Sequence, residues 1–284
     1  MKQLLKSISI VVAFVFFIFG FLIIYHFHVV RKLNWKLPNN VHTLFMGASH
    51  LENGIDDRYY PNSINLAHSS ERYMFTYIKL KKILECRDNK NRIDTVFLEF
   101  APTDIWKETD SKYYDNDDQN YYIPHYFPLF DKQNFKVYKN HYINVFVKYI
   151  SHLNQISPRC LIGKNGLGGY APLYNLFNPS KRKKNNLVKG DGSGSKWNLY
   201  YLNEIINLCK RNKIRLLFLY LPMYHPSEYY DQNYYFSLYY KKYEEIPLLN
   251  FRDVSVPVYL RADEHHLNYK GAVWFTKYLY SINK

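Results

Sequence analysis

Ser49 lies in the stretch Thr43-Leu44-Phe45-Met46-Gly47-Ala48-Ser49-His50, and Asp263-Glu264-His265-His266 stands near the other end of the chain. A serine hydroxyl is a poor nucleophile near neutral pH. It becomes a good one when an imidazole takes its proton and a carboxylate orients that imidazole. Asp263 and His266 are three residues apart, so the carboxylate can reach one ring nitrogen while the other faces Ser49. Acyl transfer through a serine nucleophile is therefore the chemistry these residues could support. Read alone, Ser49 is no more than a strand terminator, and His265 and His266 no more than loop histidines. The Asp263–His266 cluster could also ligate a metal, but no third, distant ligand motif accompanies it. Glu99 and Asp104 read as loop-anchoring groups rather than a glycosidase pair.

Strands and helices must deliver these groups. Leu44 to Met46 read as a buried strand, and Gly47 with Ala48 allows a sharp bend after it. Ser49 then lies at the carboxyl edge of a sheet, where open α/β folds bind ligands. Ser63 to Ala67 read as a second strand. Ser70 reads as a helix N-cap with Glu71 in the first turn, and Tyr73, Tyr77, Leu80 and Leu84 recur at helical spacing. A strand follows around Val96 to Leu98. Residues 104–195 break the rhythm. They begin with Tyr113-Tyr114-Asp115-Asn116-Asp117-Asp118, form a helical patch over 137–153, and run from Gly163 through Lys181-Arg182-Lys183-Lys184 to Gly190–Gly194. This stretch is expected to be an insertion on the active edge. Regular structure resumes with a helix from Lys196, a strand over Ile214 to Leu221, a helix over Gln232 to Glu244 and a strand over Pro247 to Phe251. A closing helix starts at Asn268, with Ala272, Phe275 and Leu279 inward. Alternating strands and helices predict an α/β protein with a parallel sheet.

Ile8 to Val30 is nearly continuous hydrocarbon, enough for the roughly 20 apolar residues that cross a bilayer. It has no small-x-small cleavage site, so residues 1–32 are expected to be an uncleaved membrane anchor, with 33–40 a linker and 33–284 the α/β domain. Lys2 and Lys6 nearly balance Arg31, Lys32 and Lys36, so flanking charge does not fix the orientation. The 284 residues carry a formal charge of +14, and aromatics make up 19%, with 30 tyrosines. That surface favours anionic or sugar-bearing partners. No nucleic-acid-binding motif accompanies it, so no nucleic-acid partner is expected. The three cysteines, Cys86, Cys160 and Cys209, form neither a disulfide framework nor a metal knuckle. Cys86 and Cys209 are placed on apolar helix faces, and no cofactor is called for.

Three short motifs carry a resemblance: Gly47-Ala48-Ser49 after the first strand, Glu99-Phe100-Ala101-Pro102-Thr103-Asp104, and Asp263-x-x-His266-Leu267-Asn268-x-x-Gly271. Together they resemble the SGNH (GDSL-like) hydrolase superfamily, and the last is the most specific. The serine block lacks the second glycine of Gly-x-Ser-x-Gly, which disfavours an ordinary α/β-hydrolase. The resemblance implies a three-layer α/β/α, flavodoxin-like parallel sheet. It makes Ser49 the nucleophile, His266 the base and Asp263 its orienter. Backbone donors at Ser49 and Ser70, and the Thr103 hydroxyl, would form the oxyanion hole. Thr103 stands where the family has asparagine, and loss of one such donor costs about 100- to 1000-fold in rate. Asn65 and His50 fall in the substrate-contacting set, His50 alternatively packing away from the site. The function so implied is that of a membrane-anchored serine esterase or O-acyltransferase. Its soluble domain would be extracytoplasmic and act on a cell-envelope glycan or lipid-linked substrate. The alternative is a non-catalytic glycan-binding or envelope-assembly protein retaining the fold. A third reading is a scaffold whose basic loop grips anionic lipid.

Overall fold

In a computed structural model, described here for residues 1–32, 35–114, 119–151, 168–181, 193–224 and 232–283, the chain is an α/β protein preceded by one long apolar helix. Five strands, β1 (Thr43–Met46), β2 (Ser63–Asn65), β3 (Thr95–Glu99), β4 (Arg215–Tyr220) and β5 (Leu248–Asn250), pair in parallel in the order β2-β1-β3-β4-β5. Every pair is parallel, so the inner strands β1, β3 and β4 are buried over their middles and need apolar residues at successive positions. Leu44, Phe45 and Met46 satisfy this, as do Leu216 to Tyr220.

Alternate side chains enter two separate cores. Leu44, Met46, Val96, Leu98, Leu216 and Phe218 join one cluster, whereas Phe45, Phe97, Leu217 and Leu219 join the other. The two-residue period places these clusters on opposite faces. The first is covered by α3 (Tyr73–Glu85), α9 (Lys196–Arg211) and α10 (Gln232–Lys242). The second is covered by α2 (Ser49–Gly54) and α11 (Tyr269–Ile282), through Leu51, Phe275 and Leu279. Ala272, Phe275 and Leu279 are all fully buried.

Several local expectations need correction. Residues 49–54 form α2, a helix too short to show periodicity in sequence. Ser70 is not a helix cap: α3 begins at Tyr73 with Arg72 as N-cap, and Ser70 sits in a left-handed turn at φ +61°. Glu71 instead joins a buried ion pair with Lys79 at 2.6 Å, and Lys79 also donates to the Leu66 carbonyl. The linker is docked where it is described, at Trp35 to Leu37. Trp35 and Leu37 are buried, and the Asn89 side chain, next to α3 in the short α4 (Arg87–Lys90), bonds both of their backbones. Cys209 is buried, but Cys86 terminates α3 half-buried.

The insertion contains more helix than its sequence suggests: α5 (Pro102–Ile105), α6 (Gln119–Tyr126), α7 (Lys132–Val137) and α8 (Tyr142–Ser151). Asp115 to Asp118, Cys160, Gly163 and the basic run from Arg182 through Gly192 lie outside the described residues. The N-terminal helix, α1 (Lys2–Arg31), has a mean hydropathy of 2.9 in its most apolar window and is long enough to cross a membrane. Its side chains from Leu4 to Tyr25 are largely exposed, whereas His26 and Val30 are buried against the domain.

Candidate active site

The strand order reverses at β1: the chain steps to β2 on one side and to β3 on the other. The crevice at the carboxyl ends of such a strand pair is where open α/β sheets hold ligands. Ser49 stands there as the first residue of α2, directly after β1. Gly47 is required by the close approach of β3. A Cβ at Gly47 would lie 2.3 Å from the Glu99 Cβ and 2.8 Å from its Oε2. Gly47→Ala is therefore expected to cost about 2–3 kcal/mol of stability, as overpacking at a tight contact does, measurable by urea unfolding of the detergent-solubilised chain.

From the far end of the chain, a tight hairpin brings the imidazole. Ala262 N–H donates to the His266 carbonyl at 3.0 Å, and Arg261 bridges Leu267. Arg261 is 2% exposed, and its guanidinium donates to the Met223 carbonyl at 3.1 Å and reaches those of Pro222 and Val256, fastening the hairpin to the segment after β4. Burial brings its pKa down to about 10. Asn268 accepts from the Lys270 and Gly271 N–H groups and donates to the Tyr259 and Arg261 carbonyls, so one residue caps α11 and ties the hairpin's start. Gly271 leaves room for the Leu260 carbonyl, which a Cβ would meet at 2.0 Å.

Ser49, Asp263 and His266 come together. The Ser49 Oγ is 2.9 Å from His266 Nε2, and His266 Nδ1 is 2.9 Å from Asp263 Oδ2. Nδ1 faces a carboxylate, so it carries the proton, and Nε2 is left to accept from the serine hydroxyl. Asp263 also accepts from the His265 and His266 N–H groups at 2.7 and 2.8 Å. Burial works against its charge, but the His266 imidazole and these donors outweigh burial and bring its carboxyl down to about 2. His265 lies outside this chain of bonds. Burial first, then the neighbouring charge of His50, lowers it to about 4 and keeps it neutral at neutral pH.

A second pair lies beneath the first. His50 Nδ1 is 2.6 Å from Glu99 Oε1, while Glu99 Oε2 accepts from Ala48 N–H at 2.7 Å. Glu99 is thus the anchor of the serine turn. Burial disfavours the charge on His50, but the Glu99 carboxylate outweighs it and holds the imidazole above its ordinary value. Burial pushes Glu99 upward, and His50 outweighs that in turn, holding it low. The His50 ring stacks on His266 with centroids 5.3 Å apart. Because Glu99 neutralises His50, the pair adds little net charge against the positive charge His266 would gain as a base.

Asp104 accepts from Ala101 N–H at 3.1 Å and is buried close to this pair. Burial, and then the charge of Glu99, push its carboxyl up to about 7. The folded chain therefore binds more protons than the unfolded chain between about pH 4 and 7, and stability falls as pH rises through that window. Asp104→Asn keeps the acceptor and removes the charge. Its stability relative to wild type should be greater at pH 8 than at pH 5 by on the order of 1–4 kcal/mol, as urea unfolding at the two pH values will measure.

The remaining predicted residues are placed differently. Asn65 is 1% exposed, and its amide is spent on the protein: Nδ2 donates to the Leu51 and Ile55 carbonyls, and Oδ1 accepts from Ala67 N–H. Its expected substrate contact is therefore corrected to a strut that closes α2 against β2. Thr103, in α5, is half-buried, and among the described residues neither it nor Ser70 is hydrogen-bonded to Ser49. The turn bearing Ser70 is held by Glu52 of α2, which accepts from the Ser69 N–H at 2.9 Å and from the Ser69 hydroxyl.

Two groups of residues escaped sequence reasoning. Glu52 and Arg261 are charged residues in loops or short helices, and only the fold reveals what they hold. Residues 168–178 run along the same edge. Gly169 N–H donates to the Ala67 carbonyl, Ala171 N–H to Glu52, and Phe177 N–H to Arg261, while the Leu173 carbonyl accepts from Tyr269. Gly168, at φ +97° and with room for no Cβ against the Ala67 carbonyl, lets this segment lie flat there.

No family model matches the chain, and no curated protein matches it.

Proposed function

We propose that this protein is a membrane-anchored serine hydrolase or O-acyltransferase of the SGNH type, acting on an acyl ester of a cell-envelope glycan or lipid-linked substrate. The observation that carries the reading is the continuous bond path from Asp263 through His266 to Ser49. The all-parallel order β2-β1-β3-β4-β5 with core on both faces supports a three-layer, flavodoxin-like arrangement. The apolar α1 supports an anchor, and by the family resemblance the domain is extracytoplasmic.

The Ser49 Oγ attacks the ester carbonyl as its proton passes to His266 Nε2. The alcohol departs with that proton, leaving the acyl group on Ser49. Water, or an acceptor hydroxyl, then gives a proton to Nε2 and takes the acyl group, restoring the serine. Asp263 stabilises the imidazolium without taking its proton. The Ser49 N–H is the first donor for the oxyanion, since this first-turn N–H of α2 has no acceptor within its own helix, and the Ser70 N–H and the Thr103 hydroxyl are the donors that the family resemblance adds. Tyr121 supports a sugar-bearing substrate. It stacks on His68 at 4.5 Å beside the Ser69–Ser70 turn and remains half-exposed.

A serine-reactive fluorophosphonate tests this. The wild-type chain should be labelled covalently and Ser49→Ala should not, with both folded by circular dichroism. An unlabelled wild type would favour the non-catalytic, glycan-binding alternative.

A further inference from the structure

We infer that α8 is a membrane-interface helix, lying among the headgroups of an anionic bilayer beside α1 and seating the domain on the membrane. The inference rests on α1 spanning that bilayer.

Three faces of α8 carry three kinds of side chain. Val145 and Tyr149 are buried against the protein. Asn144, Lys148 and Ser151 form a polar face. Ile143, Phe146, Val147 and Ile150, at the i, i+3, i+4, i+7 positions of one stripe, form an apolar face. Three of these side chains stay largely exposed, Ile143 at 79%, Val147 at 57% and Phe146 at 47%, with Tyr142 beside them at 49%, while Ile150 packs partly against the core. A solvated helix of ten residues gains nothing from such a stripe, whereas an interfacial helix requires it.

Position decides what covers the face. Tyr149 of α8 hydroxyl-bonds His26 Nδ1 at 2.6 Å and packs edge-on against Phe27, both in the last turns of α1. Phe127 packs against Phe27, Phe146 and Tyr149, and Arg31 donates to the Pro128 carbonyl at 2.9 Å. The exposed apolar side chains of α1 stop at Tyr25, one residue before this contact. So α8 is fastened to α1 at the level where α1 would leave the hydrocarbon. Lys132, Lys136 and Lys139 are exposed just ahead of α8 and give the surface the sign that anionic headgroups attract.

The test uses the full chain reconstituted into phosphatidylcholine–phosphatidylglycerol vesicles, in a Cys86→Ser, Cys160→Ser background. An environment-sensitive fluorophore is placed at Val147→Cys or, separately, at Ile18→Cys. Quenchers are spin-labelled lipids carrying the spin near the headgroup or deep in the chain. The probe at 147 should be quenched at least threefold more strongly by the shallow label, and the probe at 18 more strongly by the deep one. Adding Ile143→Asp and Phe146→Asp should reduce quenching at 147 at least fivefold while fluorophosphonate labelling of Ser49 persists. Quenching at 18 without quenching at 147 would overturn the inference and leave the anchor standing. Quenching at neither position would overturn both. Energy transfer between probes at 147 on two copies, without lipid quenching, would assign the face to self-association instead.

Discussion

His266→Ala will lower ester turnover by roughly 10⁴- to 10⁶-fold, read as hydrolysis of p-nitrophenyl acetate by the detergent-solubilised chain. The size follows from what the ring does in the structure: its Nε2 is the only group bonded to the Ser49 hydroxyl among the described residues. Without it, the attacking oxygen keeps its proton. Asp263→Asn keeps the side chain's size but presents an amide to His266 Nδ1 and disturbs its tautomer, so a loss of about 10⁴-fold is expected. Groups that act as one unit do not add. The double variant Ser49→Ala, His266→Ala should therefore be no slower than either single one. Losses that multiply, or a His266→Ala chain that keeps more than a tenth of its rate, would remove the imidazole from the mechanism.

Glu99→Ala should be the most damaging single change away from those three residues. It breaks the buried His50–Glu99 pair, leaving His50 Nδ1 and the Ala48 N–H both without their partner. Removing one partner of a buried ion pair costs about 3–5 kcal/mol. A domain of this size shifts by roughly 2–4 °C for each kcal/mol, so the thermal midpoint should drop by about 10 °C. Turnover should fall as well, because the same carboxylate fixes the turn that aims Ser49. Glu99→Gln keeps the acceptor for Ala48 and the volume, and His50 sheds its charge. A smaller drop in the midpoint is expected, with labelling of Ser49 retained. Scanning calorimetry on the two variants side by side checks this, and equal midpoints would show that the retained acceptor for Ala48 N–H and the retained volume contribute nothing.

The contrast between Asn268 and Ser70 indicates where local sequence was informative. Both read as helix caps. Asn268 is one, because its side chain reaches the Lys270 and Gly271 N–H groups. Ser70 is not, because the buried Glu71–Lys79 pair and the grip of Glu52 on Ser69 decide the course of the loop. Long apolar runs such as Leu216 to Leu221 locate the inner strands, and the Asp263-x-x-His266 spacing locates the second half of the site. The partners of Glu99, Asn65 and Arg261 depend on residues tens to hundreds of positions away, so no window of sequence contains them. Within the insertion, α5 to α7 span only 4 to 8 residues each. Such segments are too short for a helical period to show, and only their packing stabilises them.

The hydroxyl of Ser49 and the ring it meets are separated by 217 positions along the chain. At ribosomal speeds of about 5–20 residues per second, some 10–40 seconds pass between their synthesis. During that interval the serine turn is made while its imidazole does not yet exist. In the proposed mechanism, reactivity is thus the final property the nascent polypeptide acquires, arriving only when the last hairpin docks beside a completed β4. Any truncation ahead of residue 266 leaves Ser49 without the imidazole it meets, however well its remaining strands assemble.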